Sequence, residues 1–192
     1  MLCLPGRMYG LVNKAVEDLI TSRFGAERWA AVKQRAGVGV EVFVGMEAYP
    51  DEVTYRLVAA ASEELGQSPA EVLEAFGEYW TLFTMREGYG ELLRTGGRTL
   101  AEFLCNLHNL HTHVALSFPN LEPPSFWCTD VTEGSLRLHY QSRRPGLAPM
   151  VIGLVRGLGV MFSTAVTVAL ARSRADGHDH DEFVVRFGPA AA

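Results

Sequence analysis

TLAEFLCNLHNLHTHVALS, residues 99–117, reads as a helix with one polar residue on its apolar face. Thr99 is an N-cap residue, and Glu102, three positions on, is its capping-box partner. Pro119 cannot continue the helix. At about 100° per residue, Leu100, Phe103, Leu104, Leu107, Leu110 and Val114 form one stripe. Of the three histidines, only His111 falls inside it; His108 lies at its edge and His113 nearly opposite. A buried imidazole needs a partner. His111 is either a core histidine bonded to a backbone carbonyl or a ligand held inside an apolar cavity. The triplet does not suit zinc: spacings of three and two put the rings on different faces, and no Cys or carboxylate of this helix completes a tetrahedron.

The segments upstream are helical. Val12, Ala15, Val16, Leu19 and Ile20 recur at helical spacing, residues 27–35 form a second short helix, and Val53, Leu57, Val58 and Ala61 mark a third over 51–65. A poorly periodic segment, GVGVEVFVGMEAYP, separates the last two. Ser68-Pro69-Ala70-Glu71 opens a fourth, with Ser at N-cap, Pro at N1 and Glu at N3, leading into Val72, Leu73, Phe76, Tyr79, Trp80 and Phe83. Downstream, Pro123-Pro124 excludes helix. Ser125–Val131 and Ser135–Ser142 alternate as strands about a Glu133-Gly134 turn, and Pro149 opens a helix to about Phe162. Thr164–Arg172 and Glu182–Phe187 are two further strands around Asp176–Asp181, where His178-Asp179-His180 is either an adventitious metal binder or, the reading favoured, a solvated turn. Helices followed by a mostly antiparallel four-stranded sheet make an α+β fold.

Composition narrows the class. The 192 residues suit one domain, and 48% hydrophobic content argues against disorder. Seventeen basic against 22 acidic residues give a net charge of −5, which disfavours a nucleic-acid partner. Cys3, Cys105 and Cys128 form neither a disulfide framework nor a CxxC pair, which suits a reducing cytoplasm. Cys128 reads as a buried, inert thiol rather than a redox-sensitive one. Residues 1–7 lack the apolar run of a signal peptide, so Met8 is a candidate start and 1–7 an extension. Leu147–Ala171 is long enough to span a membrane, but Gly153, Gly157 and Gly159 interrupt it; a core helix running into a core strand is expected.

A second constellation is Tyr140-Gln141-Ser142-Arg143-Arg144. In a strand, residues 140, 142 and 144 project to one side and offer two hydroxyls and a guanidinium to one neighbour. That set suits carboxylates, or else an ordinary solvent-facing strand edge.

Taken together, MYGLVNKAVEDLI (8–20), VTYRLVAAASEELG (53–66), FGEYW (76–80), EGYGELL (87–93), NLHNLH (106–111), PPSF (123–126) and LHYQSRR (138–144) resemble the haem nitric oxide/oxygen-binding (H-NOX) family. The resemblance runs from Met8 to Phe187 and implies a single haem domain over 8–188 with a tail at 189–192. It implies a non-covalent haem b buried between the helical part and the sheet. His111 would ligate the iron, Tyr140, Ser142 and Arg144 would hold the propionates, and Pro124 would press on the porphyrin. Val12, Val16, Trp80, Thr84, Met150 and Leu154 would line the distal side. In the dioxygen-binding branch of the family a Tyr stands where Met150 does here, and Met150 offers no donor. Of the remaining distal residues only Trp80 and Thr84 could donate. The resemblance thus implies a sensor of nitric oxide and carbon monoxide that excludes dioxygen and signals by releasing His111. The effector implied is a separate histidine kinase or cyclic-dinucleotide enzyme, since the chain holds no kinase, cyclase or chemoreceptor motif. The alternatives are a haem-free interaction domain of the same fold and a haem enzyme. The enzyme is disfavoured because the distal segments carry no His for acid–base work.

Overall fold

The computed structural model describes residues 6–118 and 121–189. Pro119, Cys3, most of the extension expected over 1–7 and residues 190–192 of the expected tail lie outside them. In chain order the elements are β1 (Arg7–Tyr9), α1 (Gly10–Phe24), α2 (Ala26–Ala36), β2 (Ala48–Pro50), α3 (Asp51–Leu65) and α4 (Pro69–Thr84). A π-turn (Met85–Tyr89) leads to α5 (Gly90–Arg94), α6 (Leu100–Ser117), β3 (Ser125–Thr129), β4 (Ser135–Gln141), α7 (Ala148–Met161), β5 (Thr164–Arg172) and β6 (Asp181–Pro189). The sheet runs β3-β4-β6-β5, and every neighbouring pair is antiparallel.

Two apolar cores result. In the helical part, Val16, Leu19, Leu57, Ala61 and Phe76 are buried together. In the other, α6 lays Leu104 and Leu107 on Leu136, Leu138, Phe183 and Val185 of the sheet, with Val155 of α7. The stripe read from α6 therefore packs on the sheet and α7, and part of it also borders the space between the two cores. Helices α4 and α7 join the two parts by close backbone approach. A Cβ at Gly77 would strike the Met150 carbonyl oxygen, and one at Gly153 would strike the Glu74 carbonyl oxygen. Farther along the same crossing, a Cβ at Gly157 would meet the Glu78 carbonyl oxygen and Thr81 Oγ1.

The caps follow their chemistry. Ser68 and Glu71 form the full reciprocal box. At Thr99 the box is one-sided: its hydroxyl accepts from the Glu102 N–H, but the Glu102 carboxylate takes the Arg98 N–H at 2.8 Å instead. The strand expected to reach Val131 stops at Thr129, because Asp130 turns with φ 51°. Ser142, expected at a strand end, lies just beyond β4. The β1–β2 ladder, Arg7↔Pro50 to Tyr9↔Ala48, was not expected; three residues a side give no alternation to detect. The apolar run from Leu147 divides as expected into α7 and β5, and among the described residues no helix is long and apolar enough to cross a membrane.

Candidate functional site

Two adjoining cavities, of about 200 and 230 Å³, lie between the helical part and the sheet. Tyr9, Val12, Trp80, His111, Leu121 and Leu154 line both, so they are two halves of one cleft. All eleven residues singled out from the sequence border it. Thr84 lines the first half, and Val16, Pro124, Tyr140, Ser142, Arg144 and Met150 the second.

One wall is α6. Of this helix, Phe103, Leu107, Leu110, His111 and Val114 reach the cleft, and His111 is the polar one. The His111 Nδ1 is buried and has no hydrogen-bond partner of proper geometry. Burial lowers the pKa of this ring to about 4; the Pro124 backbone works the other way, and His108 adds to the depression. The imidazole is therefore neutral at pH 7, the form that ligates a metal. The core-histidine reading, with a good backbone bond satisfying the ring, does not describe it. Phe126 lies beside it, ring centroids 5.7 Å apart.

The rim at the other end is polar. The Tyr140 phenol is buried, which raises its pKa, and the Ser142 hydroxyl lies against it. Arg144 bonds Asp51 Oδ2 through Nε at 2.9 Å, the Glu122 carbonyl at 2.9 Å and the Arg7 carbonyl at 2.8 Å. Among the described residues three of its five N–H groups are engaged, leaving two for a further acceptor. Asp51 was not picked out from the sequence; only the β2–α3 junction brings it to a residue 93 positions away.

The facing wall comes from α1, α4 and α7. Thr84 Oγ1 donates back to the carbonyls of Trp80 (2.8 Å) and Thr81 (3.1 Å), so its proton is spent within α4. The indole N–H of Trp80 has no hydrogen-bond partner among the described residues; its ring packs on Phe76 and Phe83. Thr81 adds a hydroxyl that sequence reasoning passed over: it is buried, unpartnered and beside Gly157. Met150, with no polar hydrogen, completes the wall.

An apolar cleft with one unpaired imidazole nitrogen on a wall and a phenol, a hydroxyl and a guanidinium at one end fits a flat, metal-bearing macrocycle with carboxylate arms. Cys105 is exposed, and Cys128 is half-buried on β3 with burial and the neighbouring Cys105 pushing its thiol up, which accords with an inert thiol.

Comparison with known proteins gives one answer. The sequence family described as haem-NO-binding matches residues 9–170. Two soluble guanylate cyclases of Caenorhabditis elegans, gcy-35 and gcy-31, are 32% and 31% identical over 189 and 164 residues, 93% and 85% of this chain. The chain spans about a quarter of the length of these relatives, 27% and 23%. Among solved structures, an H-NOX protein from S. oneidensis in the Fe(II)NO ligation state superposes with a TM-score of 0.85 at 17% identity, covering 94% of this chain and 99% of that one. The Fe(II) unliganded H-NOX protein from K. algicida gives 0.82 at 22% identity, covering 96% and 99%. With the family matched over most of its length and the H-NOX fold reproduced, this chain belongs to the haem-NO-binding, or H-NOX, family.

Proposed function

We propose that the protein is a gas sensor that binds nitric oxide and carbon monoxide at a haem ligated by His111 and excludes dioxygen. The observation that carries this reading is the buried His111 Nδ1 without a partner in an otherwise apolar wall. A ferrous haem on one imidazole supplies an iron with a sixth position for a diatomic gas. Tyr140, Ser142 and the two unengaged N–H groups of Arg144 would hold its carboxylates, and Pro124 would bear on its face. Among the described residues no cysteine lines the cleft, which supports a non-covalent haem b.

The chain's own residues set the selection. Dioxygen is retained where a hydrogen-bond donor stands beside it, whereas nitric oxide and carbon monoxide need the donor far less. Met150 has none, and Thr84 has already spent its own on α4. Among the described residues the Trp80 N–H has no partner, but its ring is committed to the stack with Phe76 and Phe83.

Signalling runs through α6. His111 is its one polar side chain at the cleft, so the polar hold on the helix from that side passes through this ring. With the ring released, α6 keeps its apolar packing on the sheet and α7 and the Phe118–Tyr9 ring contact at its C-cap, and its position relative to the helical part can shift about these apolar contacts. A separate histidine kinase or cyclic-dinucleotide enzyme in the cytoplasm is the effector in this reading, and the chain itself performs no catalysis.

Adding each gas in turn to the reduced, haem-loaded protein tests the proposal. The Soret band should shift with nitric oxide and with carbon monoxide and stay put in air. A stable dioxygen complex, or indifference to nitric oxide, contradicts it.

A further inference from the structure

The opposite face of the sheet carries a second cluster. The direct cross-strand partners Trp127, His139 and Glu182 form one row over β3, β4 and β6, and Arg172 of β5 continues it. Because strand side chains alternate, this row lies on the face away from Tyr140, the neighbour of His139 that enters the cleft. His139 is 8% and Glu182 5% exposed, low values for polar groups on an outer sheet face. His180, just before β6, completes the cluster. Its side chain is only 19% exposed, so the turn read as solvated folds this ring back onto the sheet.

The geometry points to a site for a zinc-class divalent ion built from His139 Nδ1, His180 Nε2 and a Glu182 carboxylate oxygen. One ligand atom from each of His139, His180 and Glu182 lies within 4.8 Å of the others, and His139 Nδ1 is 2.9 Å from His180 Nε2. Two imidazoles and a carboxylate are a donor set that zinc takes in tetrahedral sites with a fourth position left for water. Each ligand is held by an outer partner. Asp179 Oδ1 lies 2.6 Å from His180 Nδ1, so the carboxylate accepts that N–H and turns the Nε2 lone pair toward His139. Thr129 Oγ1 lies 2.8 Å from His139 Nε2. Glu182 Oε1 is paired with Arg137, while Oε2 faces Arg172 Nε at 3.8 Å, beyond hydrogen-bond reach. Trp127 stacks on His139 at 5.0 Å with a 4° interplanar angle and touches His180 at 4.9 Å, covering both rings.

The proton inventory permits the exchange. Without a metal, the 2.9 Å contact between His139 Nδ1 and His180 Nε2 must hold one proton, since two lone pairs would repel. That proton sits on His139 Nδ1, and the Thr129 hydroxyl donates to Nε2. On metal binding the His139 proton moves to Nε2, the Thr129 hydroxyl turns to accept it, and Nδ1 becomes a ligand. Neither ring has to lose a proton overall.

The test uses the full-length, haem-loaded protein stripped of loose metal by a chelator, with Zn²⁺ as the probe in titration calorimetry. One equivalent should bind per chain. Asp179→Asn should weaken binding about 10- to 100-fold, the usual cost of losing an outer partner, and His180→Ala should abolish it. His178→Ala, in the same turn but outside the cluster, should bind as the parent does. His180 is on a turn, so its loss should leave the haem spectrum unchanged, which verifies folding in the same sample. Absence of a stoichiometric site, or undiminished binding by His180→Ala, overturns the proposal.

Discussion

Arg144 Nε lies 2.9 Å from Asp51 Oδ2, with each side chain only 13% exposed, so one ion pair pins the end of the β4 segment to the start of α3. It closes the polar end of the cleft and fixes the guanidinium that is proposed to take the haem carboxylates. Asp51→Asn removes the charge while keeping the size. It should cost about 2 kcal/mol, as for hydrogen bonds to charged groups, read by chemical denaturation. Arg144→Ala should in addition speed haem loss to an acceptor protein. A haem off-rate unchanged in Arg144→Ala would remove Arg144 from the carboxylate set.

Met150→Tyr places a donor in the cleft that His111 also lines. A hydrogen bond of about 1.5 kcal/mol corresponds to roughly tenfold in affinity, so dioxygen binding should strengthen by at least that factor. Trp80→Phe should leave nitric oxide and carbon monoxide affinity within about twofold, since the account gives its N–H no part in holding them. Gas titrations of both variants check this. Unchanged dioxygen affinity in Met150→Tyr would refute the donor account of selection.

Gly153→Ala probes the α4–α7 crossing. The added methyl meets the Glu74 carbonyl oxygen, a backbone atom that cannot swing aside. Overpacking of this kind costs about 1–3 kcal/mol. It should also disturb the wall that carries Trp80 and Met150, so a lower Tm and an altered carbon monoxide affinity should appear together.

The Ser68 cap is a local control. Its hydroxyl accepts from Glu71 N at 3.2 Å, and its own N–H donates to Glu71 Oε2 at 2.7 Å. Ser68→Ala should cost about 1 kcal/mol in thermal unfolding without touching the gas spectra.

What the sequence made legible follows from which interactions are local. The α6 stripe, the Ser68 box and the boundaries of β5 are set by spacing within one element, and they read directly. His111 stood out because a polar residue interrupts an apolar periodicity. Asp51 and the His139–His180–Glu182 cluster did not stand out, because their partners lie 93 and 41 positions away in the Arg144 and His139 pairings. Strand register decides which polar side chains on an outer face meet, and a single chain does not print its register. The β1–β2 ladder escaped for a different reason: its three-residue strands carry too few alternations.

The account stands on His111 as the iron ligand. Its most direct test is the reduced absorption spectrum of haem-loaded wild type beside His111→Gly, with and without free imidazole. Wild type should show the Soret band of a five-coordinate ferrous haem, the variant should lose it, and imidazole should restore it. A variant that takes up haem and gives the wild-type spectrum with no imidazole present would contradict the assignment.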